Sequence, residues 1–200
     1  MKDYIRSYLG AVTAVLDAVP VAVTEAIVNV LFDAYCQGRE IFVMGNGGSA
    51  ASASHFVCDL AKGTITEGVP RVRATCLTDN VPLLTAWAND THYTNIFGEI
   101  LRNHAVPGDV LVGCTASGQS PNIINAMRTA RGLGAKTIAL VGYDGGKVRD
   151  ECDIALIIPS DNITQIEDVQ TLMFHLIACT LKGKMKEISS DGLSAGSARP

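Results

Sequence analysis

The sequence predicts an α/β fold of three layers (αβα), in which a five-stranded parallel sheet lies between helices. Five short runs rich in β-branched residues alternate with helical patterns, and each run ends in a turn rich in Gly, Ser, Asn or Asp. The runs are apolar on both faces, which is typical of buried parallel strands. The predicted strands are residues 41–44, 72–77, 110–114, 137–141 and 154–158.

Two further helices are predicted ahead of the first strand, over residues 2–18 and 21–36, with Pro20 between them. They stand outside the alternation of strand and helix. They either cover an edge of the sheet or pack against another subunit, and we favour the second, a use in oligomerisation.

The chain of 200 residues is expected to form a single domain over residues 1–187. Its last long helix is predicted from about residue 163 to about residue 184. Residues 188–200 are small and polar, so we expect a disordered tail there.

Composition excludes several classes of function. A net charge of −4 provides no basic surface for nucleic acid or an anionic membrane, and no uncharged apolar stretch approaches a membrane span. None of the six cysteines lies in a C-x-x-C pair, which argues against a disulfide framework or a cysteine zinc site. We therefore expect a protein of a reducing compartment, the cytoplasm.

A glycine-rich turn, residues 45–50, joins the first strand to a helix. Its backbone can approach a ligand closely, and the helix N-terminus offers amides to an anion. The turn also matches the dinucleotide spacing G-x-G-x-x-A, but the acidic residue expected about 20 positions later is missing, since Asp79 comes 29 positions after Ala50. No nucleotide is therefore expected here.

A second turn, residues 115–122, follows the third strand and opens another helix. Its hydroxyls and glycine fit a compact phosphate monoester, whereas a dinucleotide fold does not need such a loop. The chain contains no G-x-x-x-x-G-K-[ST] motif for a nucleoside triphosphate. The alternative interpretation is simple helix capping by Ser117 or Ser120.

The chain resembles the phosphoheptose isomerase branch of the sugar isomerase (SIS) superfamily over about residues 3–185. The resemblance lies in Gly45-Asn46-Gly47-Gly48-Ser49, His55-Phe56, Ala88-Asn89-Asp90 and Thr115-Ala116-Ser117-Gly118-Gln119-Ser120-Pro121-Asn122. It implies a flavodoxin-like fold, a homotetramer with active sites between subunits, and a sugar phosphate as substrate, typically sedoheptulose 7-phosphate. It also implies substrate-binding residues: Ser49, Thr115, Ser117 and Ser120 for the phosphate, Asn46, Asn89 and Asp90 for the sugar, with Gly47 and Glu167 beside them.

Aldose–ketose isomerisation needs a base at carbon, a proton relay between oxygens, and stabilisation of an enolate. His55 and Asp59 lie four residues apart on one helix, and Glu167 and His175 lie eight apart on the last helix. Each also has a purely structural interpretation: His175 as a core residue, Asp59 paired with Lys62, and Glu167 facing solvent.

The resemblance implies that these four positions provide the acid/base pair and, in some members, bind zinc. The family pattern has Glu where this chain has Asp59, and Gln where it has Glu167. We predict that Asp59 and His175 share the proton transfers, beside a divalent metal, zinc, held by His55, Asp59, Glu167 and His175. If such an ion is tightly held, a water activated by it is the alternative proton carrier.

Two other classes of function remain open at this point. A SIS domain without catalysis would sense a sugar phosphate or bind a partner protein, and a nicotinamide enzyme would need a better placed acidic residue than Asp79. The set of His55, Asp59, Glu167 and His175 favours the isomerase.

Overall fold

The computed structural model describes residues 1–196, with side chains up to residue 189. It confirms the three-layer α/β fold and all five predicted strands, each within one or two residues. The strands form one parallel sheet in the order β2-β1-β3-β4-β5, which is the flavodoxin-like order. Their bounds are β1 (Glu40–Gly45), β2 (Arg73–Cys76), β3 (Val110–Thr115), β4 (Lys136–Val141) and β5 (Ile154–Ile157).

Helices cover both faces of this sheet. The helices are α1 (Lys2–Asp17), α2 (Val21–Cys36), α3 (Gly48–Cys58), α4 (Val81–Asp90), α5 (Ile96–His104), α6 (Pro121–Gly132), α7 (Val148–Glu151) and α8 (Ile163–Gly196). α1, α2, α3 and α8 contribute to the core on one face, where Val43, Val112 and Leu140 point from the sheet. α5, α6 and α7 enclose Met44, Leu111 and Val141 on the other. Alternate residues of each strand thus supply two cores, as the period of two requires.

The leading helices behave differently from each other. α2 packs on the sheet of its own chain, where Ile27 and Leu31 are fully buried. α1 packs against α8, but Ile5 and Leu9 remain half or more exposed near its N-terminus. α2 therefore covers a face of the sheet and not an edge, and the use of the leading helices in oligomerisation stays a prediction.

The end predicted for the last helix near Lys184 is wrong, because α8 continues to Gly196. The helical backbone thus includes residues 188–196, part of the tail expected to be disordered, while residues 197–200 lie outside the described residues. Extending a formed helix requires no new nucleus, so a polar segment can add turns to a packed helix. Ser189 also anchors this segment, since its hydroxyl donates to the Glu67 carbonyl at 2.7 Å.

No single helix among residues 1–196 has the length and apolar character needed to cross a membrane. The pair α1–α2 passes that test jointly, by length and composition alone, and is bent by 68° at its break.

Candidate functional site

The candidate site lies at the carboxyl ends of β1 and β3, which are neighbours in the sheet. The chain leaves β1 towards one edge through β2 and leaves β3 towards the other edge through β4. Connections that diverge in this way open a crevice between the two loops, where ligands of such folds bind. The two turns singled out from the sequence are these loops.

The loop after β1 is fixed by close backbone packing. A side chain at Gly45 would place its Cβ 2.3 Å from the Ser49 carbonyl oxygen, so only glycine fits. Gly47 takes a positive φ of 55° directly before α3 begins. These two glycines direct the free amides at the start of α3 into the crevice, where they can bind an anion.

Ser49 lies in the first turn of α3 and is buried. Its hydroxyl contacts the Cys114 thiol, whose pKa is raised to about 12, chiefly by burial and against the lowering effect of the Ser49 hydrogen bond. Cys114 is therefore a neutral core residue. The structure places the Ser49 side chain at the inner wall of the loop.

The loop after β3 holds its hydroxyls in the crevice. The Thr115 hydroxyl accepts a hydrogen bond from the Gly118 amide at 3.3 Å, and the Ser117 hydroxyl accepts one from the Gln119 amide at 3.3 Å. Ser120 occupies the N-cap of α6, yet its side chain makes no capping hydrogen bond. Capping thus accounts for neither serine, and the Ser120 hydroxyl stays available to a ligand.

Asn46 and Asn122 join the two loops. The side-chain amide of Asn46 donates to Asn122 at 3.0 Å, and that of Asn122 donates back at 2.7 Å. The Tyr93 hydroxyl also donates to Asn46, at 3.0 Å. Sequence reasoning missed Asn122 and Tyr93 as site residues. The sequence signal for Asn122 was a side-chain amide at the start of a predicted helix. The structure shows in addition that this side chain is buried, with 1% of the residue exposed.

Asn89 and Asp90 lie at the end of α4, both exposed, where the Asn89 amide donates to the Asp90 carboxylate at 2.8 Å. The adjacent Ala88 lines a cleft of about 260 Å³ together with Asn46, Gly47 and others. The predicted sugar-binding pair follows directly after this lining residue at the end of α4.

His55, Asp59 and His175 form an ionisable cluster at the end of α3 and on α8. The two imidazole Nε2 atoms lie 3.4 Å apart, and Asp59 Oδ2 lies 3.8 Å from that of His55 and 3.5 Å from that of His175. The side chain of His175 is 50% exposed, so it is not a core residue. Among the described residues, the ion pairs of Asp59 do not include Lys62. Both structural alternatives are therefore wrong.

Two local features bring these side chains together. The α-helix α3 passes into a single π-helical turn at Asp59–Gly63, and π-turns re-aim side chains, often at functional sites. Next to the cluster, the rings of Phe56 and Phe174 stack at 4.3 Å between centroids. Phe56 directly follows His55 and Phe174 directly precedes His175, so this buried stack sets the separation of the two histidines.

The structure does not place Glu167 with these three residues. Eight helical residues rise by about 12 Å, so Glu167 and His175 lie two turns apart even when they share a face. The carboxylate instead lies over Gly48, where a Cβ would come within 3.0 Å of Glu167 Oε1. Three of the four predicted metal ligands are thus brought together, and the fourth lies beside the anion-binding loop.

The cluster fits a divalent metal. Donors around a tetrahedral zinc ion, with bonds of about 2.0–2.1 Å, stand about 3.3 Å apart. The three donors are separated by 3.4, 3.5 and 3.8 Å. Asp59 Oδ2 is buried and accepts no hydrogen bond within the described residues. A buried carboxylate oxygen without a partner is costly, and a cation would satisfy it.

The fold and the candidate site together define a class of protein: a doubly wound α/β domain with two anion-binding turns at its switch point and an ionisable cluster at the end of α3 and on α8. Comparison with known proteins gives the family. A profile described as "SIS domain" matches residues 7–142, and the chain belongs to the SIS domain family.

Two relatives by sequence and one by structure share the name phosphoheptose isomerase. The chain is 36% identical to a phosphoheptose isomerase of Geobacter sp. (strain M21) over 177 residues, covering 88% of this chain and 91% of that protein. It is 43% identical to the phosphoheptose isomerase of Aliarcobacter butzleri over 142 residues, covering 70% and 74%. The solved structure of a phosphoheptose isomerase from Francisella tularensis matches with a TM-score of 0.84 at 30% identity, covering 91% and 96%.

Proposed function

We propose that the protein is an aldose–ketose isomerase that acts on a sugar phosphate, with sedoheptulose 7-phosphate converted to a heptose 7-phosphate. The observation that carries the proposal is the cluster of His55, Asp59 and His175. It lies at the end of α3 and on α8, the two helices that meet at the first anion-binding loop. The relatives named phosphoheptose isomerase support the same activity. A pure binding protein needs the loops but has no use for the ionisable cluster.

The phosphate is held between the loops. Donors come from two sides: the α3 amides near Gly47 on one, and the hydroxyls of Ser117 and Ser120 on the other. The Thr115 hydroxyl fixes the second loop by accepting a hydrogen bond from the Gly118 amide. Asn46 is held in place by Asn122 and Tyr93 and offers polar atoms to the sugar. Asn89 and Asp90 approach from the end of α4.

Asp59 and His175 share the proton transfers. One of them takes a proton from carbon 1 of the ketose, which leaves an enediol, and the same proton is returned to carbon 2 to give the aldose. The other moves the hydroxyl proton from oxygen 1 to oxygen 2, so that the carbonyl changes place without a net change in atoms. The 3.5 Å between Asp59 Oδ2 and His175 Nε2 allows both residues to reach one pair of adjacent carbons.

A divalent metal, zinc, would be held by His55, Asp59 and His175 and would stabilise the negative charge of the enediolate oxygens. With such an ion bound, Asp59 and His175 would serve as ligands rather than as the proton carriers. His55, which has no proton-transfer role in this scheme, then keeps the Asp59 carboxylate directed at the site. Glu167 lies at the phosphate end and adjusts the affinity of the first loop for an anion.

The site is completed between subunits of a homotetramer. His55 and His175 are half exposed, which leaves the cluster open on one side. Near it, a groove of about 540 Å³ between α2 and α8 is lined by apolar residues such as Val28 and Leu176. The exposed Leu9 of α1 adds to this apolar surface. A second copy of the chain would bury these residues and close the site.

All six cysteines are free, which supports the cytoplasm as the compartment.

The test is turnover of His175→Ala with sedoheptulose 7-phosphate, followed by a coupled assay for the heptose product. We expect kcat to fall by about 10²–10⁴-fold, as for loss of a general acid or base. Binding of inorganic phosphate, measured by calorimetry, should stay near the wild-type level. The control is His92→Ala, which removes an exposed imidazole outside the cluster.

Unchanged turnover in His175→Ala would remove the catalytic assignment. A wild-type protein that binds several ketose phosphates but converts none would instead be a non-catalytic SIS domain.

A further inference from the structure

A second cavity lies at the opposite end of the sheet from the candidate active site. It has a volume of about 360 Å³ and is lined at the start of β1 and β2 by Arg39, Glu40, Arg73 and others. A smaller cavity of about 170 Å³ shares Arg39 and Arg73 with it and adds Arg71. β1 has six residues at about 3.3 Å each, so about 20 Å separates this end from the phosphate loops.

The acidic residues at this end are already engaged. Both carboxylate oxygens of Asp109 accept backbone hydrogen bonds, from the amides of Glu40 at 2.9 Å and Val106 at 2.8 Å. The Glu40 carboxylate accepts from Arg73 at 3.0 Å and from the Thr75 hydroxyl at 2.7 Å. The carboxylate oxygens of the cavity wall are therefore already hydrogen-bonded by fixed internal donors, and Arg73 balances the charge of Glu40.

The side chains of Arg39 and Arg71, unlike these carboxylates, have no hydrogen-bond partner among the residues with described side chains. Among the residues with described side chains, Arg39 and Arg71 form no ion pair. Arg39 Nε is moreover buried without a hydrogen-bond acceptor, and its guanidinium packs over Gly108, where a Cβ would come within 3.0 Å. A buried charged donor without an acceptor is costly, so an acceptor from outside the chain is expected there.

Capping of a helix does not account for these side chains. α2 ends at Cys36, and the carbonyl of Gly38 beyond it accepts from Arg73 at 3.3 Å. Arg39 and Arg71 donate to no carbonyl within the described residues, so two of the three guanidinium groups are left for a ligand. Arginine forks match the oxygens of a phosphate group.

We propose that this cavity, together with the smaller one that shares its wall, is a second anion site, which binds the phosphate group of a small phosphorylated metabolite through Arg39 and Arg71. Its volume lies within the range of small-ligand sites, about 300–1,000 Å³. The site is separate from the switch point and shares none of its side chains.

The test uses inorganic phosphate and isothermal calorimetry on the full chain. The Ser117→Ala/Ser120→Ala variant weakens phosphate binding at the switch point and serves as the background. In this background we expect phosphate binding to persist, and Arg39→Gln with Arg71→Gln to weaken it by about tenfold or more. Arg131→Gln, an exposed arginine on α6, is the matched control and should change nothing.

Phosphate binding that is unaffected by the arginine changes, or equally weakened by Arg131→Gln, would overturn the second site. Arg71→Gln alone provides the same comparison if the double change lowers stability, because Arg71 is exposed. The isomerase assay separates the two proposals: Arg39→Gln/Arg71→Gln should keep wild-type turnover, and an inactive wild type would count against the proposed function alone.

Discussion

Asn46 and Asn122 face each other across the crevice beyond the carboxyl ends of β1 and β3, and they exchange two side-chain hydrogen bonds, of 3.0 and 2.7 Å. Each amide satisfies the other in a place that water reaches poorly. The pair holds the two anion-binding loops at a fixed separation, and a ligand that needs both loops depends on that separation.

Replacing Asn122 by Ala should therefore affect both stability and substrate binding. The Asn46 amide loses its partner in a partly buried place, which should lower the free energy of unfolding by about 1–3 kcal/mol. KM for the sugar phosphate should rise, because the loops are no longer tied. Urea unfolding and steady-state kinetics measure the two effects. Asn125→Ala, on the same helix but bonded to Thr94 and Asn95, should lower stability without raising KM.

Replacing Asp59 by Asn keeps the shape of the side chain and removes its charge. The cluster then offers two imidazoles without a carboxylate, so the content of bound metal should fall in elemental analysis. We expect kcat to fall by about 10²–10⁴-fold. Asp33→Asn, at an exposed position on α2, is the matched control. Full activity with undiminished metal in Asp59→Asn would contradict both roles of this carboxylate.

Glu167→Gln tests the carboxylate that lies over the first turn of α3. A negative charge there repels a phosphate dianion at the same helix N-terminus. Its removal should lower KM for the sugar phosphate by about tenfold, or ~1.4 kcal/mol, with metal content unchanged. Loss of metal in Glu167→Gln would instead show that this carboxylate reaches the cluster during catalysis. Asp161→Asn, at an exposed position two residues before α8, provides the control for charge near the start of this helix.

The Tyr8 hydroxyl donates to Asp168 Oδ2 at 2.5 Å and links α1 to α8. This hydrogen bond, followed by burial and the Asp168 charge, raises the pKa of Tyr8 from 10.0 to about 12. A raised pKa means that the folded state favours the protonated phenol. The stabilisation is therefore complete below pH 10 and is lost as the pH rises through 12.

Between these pH values the wild type should lose stability faster than Tyr8→Phe, which has no phenol to ionise. Thermal unfolding at a series of pH values measures the difference. Tyr4→Phe is the control, since Tyr4 is exposed on the same helix. Parallel curves for wild type and Tyr8→Phe across this range would show that the bond does not hold α1 in solution.

Much of the fold could be predicted because each strand carries its own signal. The run at β3, Val110–Thr115, is buried at every position, so its apolar composition alone marks it as an inner parallel strand. The end of α8 could not be predicted in the same way. The small polar residues from Ser189 onwards have weak local preferences, and they continue a helix that tertiary packing has already formed.

The sequence by itself predicted the αβα class, the two turns rich in glycine and hydroxyl groups, and four candidate residues of one ionisable site, of which the structure gathers three. These residues follow strands or repeat at helical spacing, and both patterns can be read directly from a sequence. Only the tertiary structure decided which of them meet. The buried stack of Phe56 on Phe174 and the π-turn at Asp59–Gly63 bring His55 and His175 to one place. The rise of α8 keeps Glu167 two turns away, since spacing along one helix fixes a face and not a distance to another element.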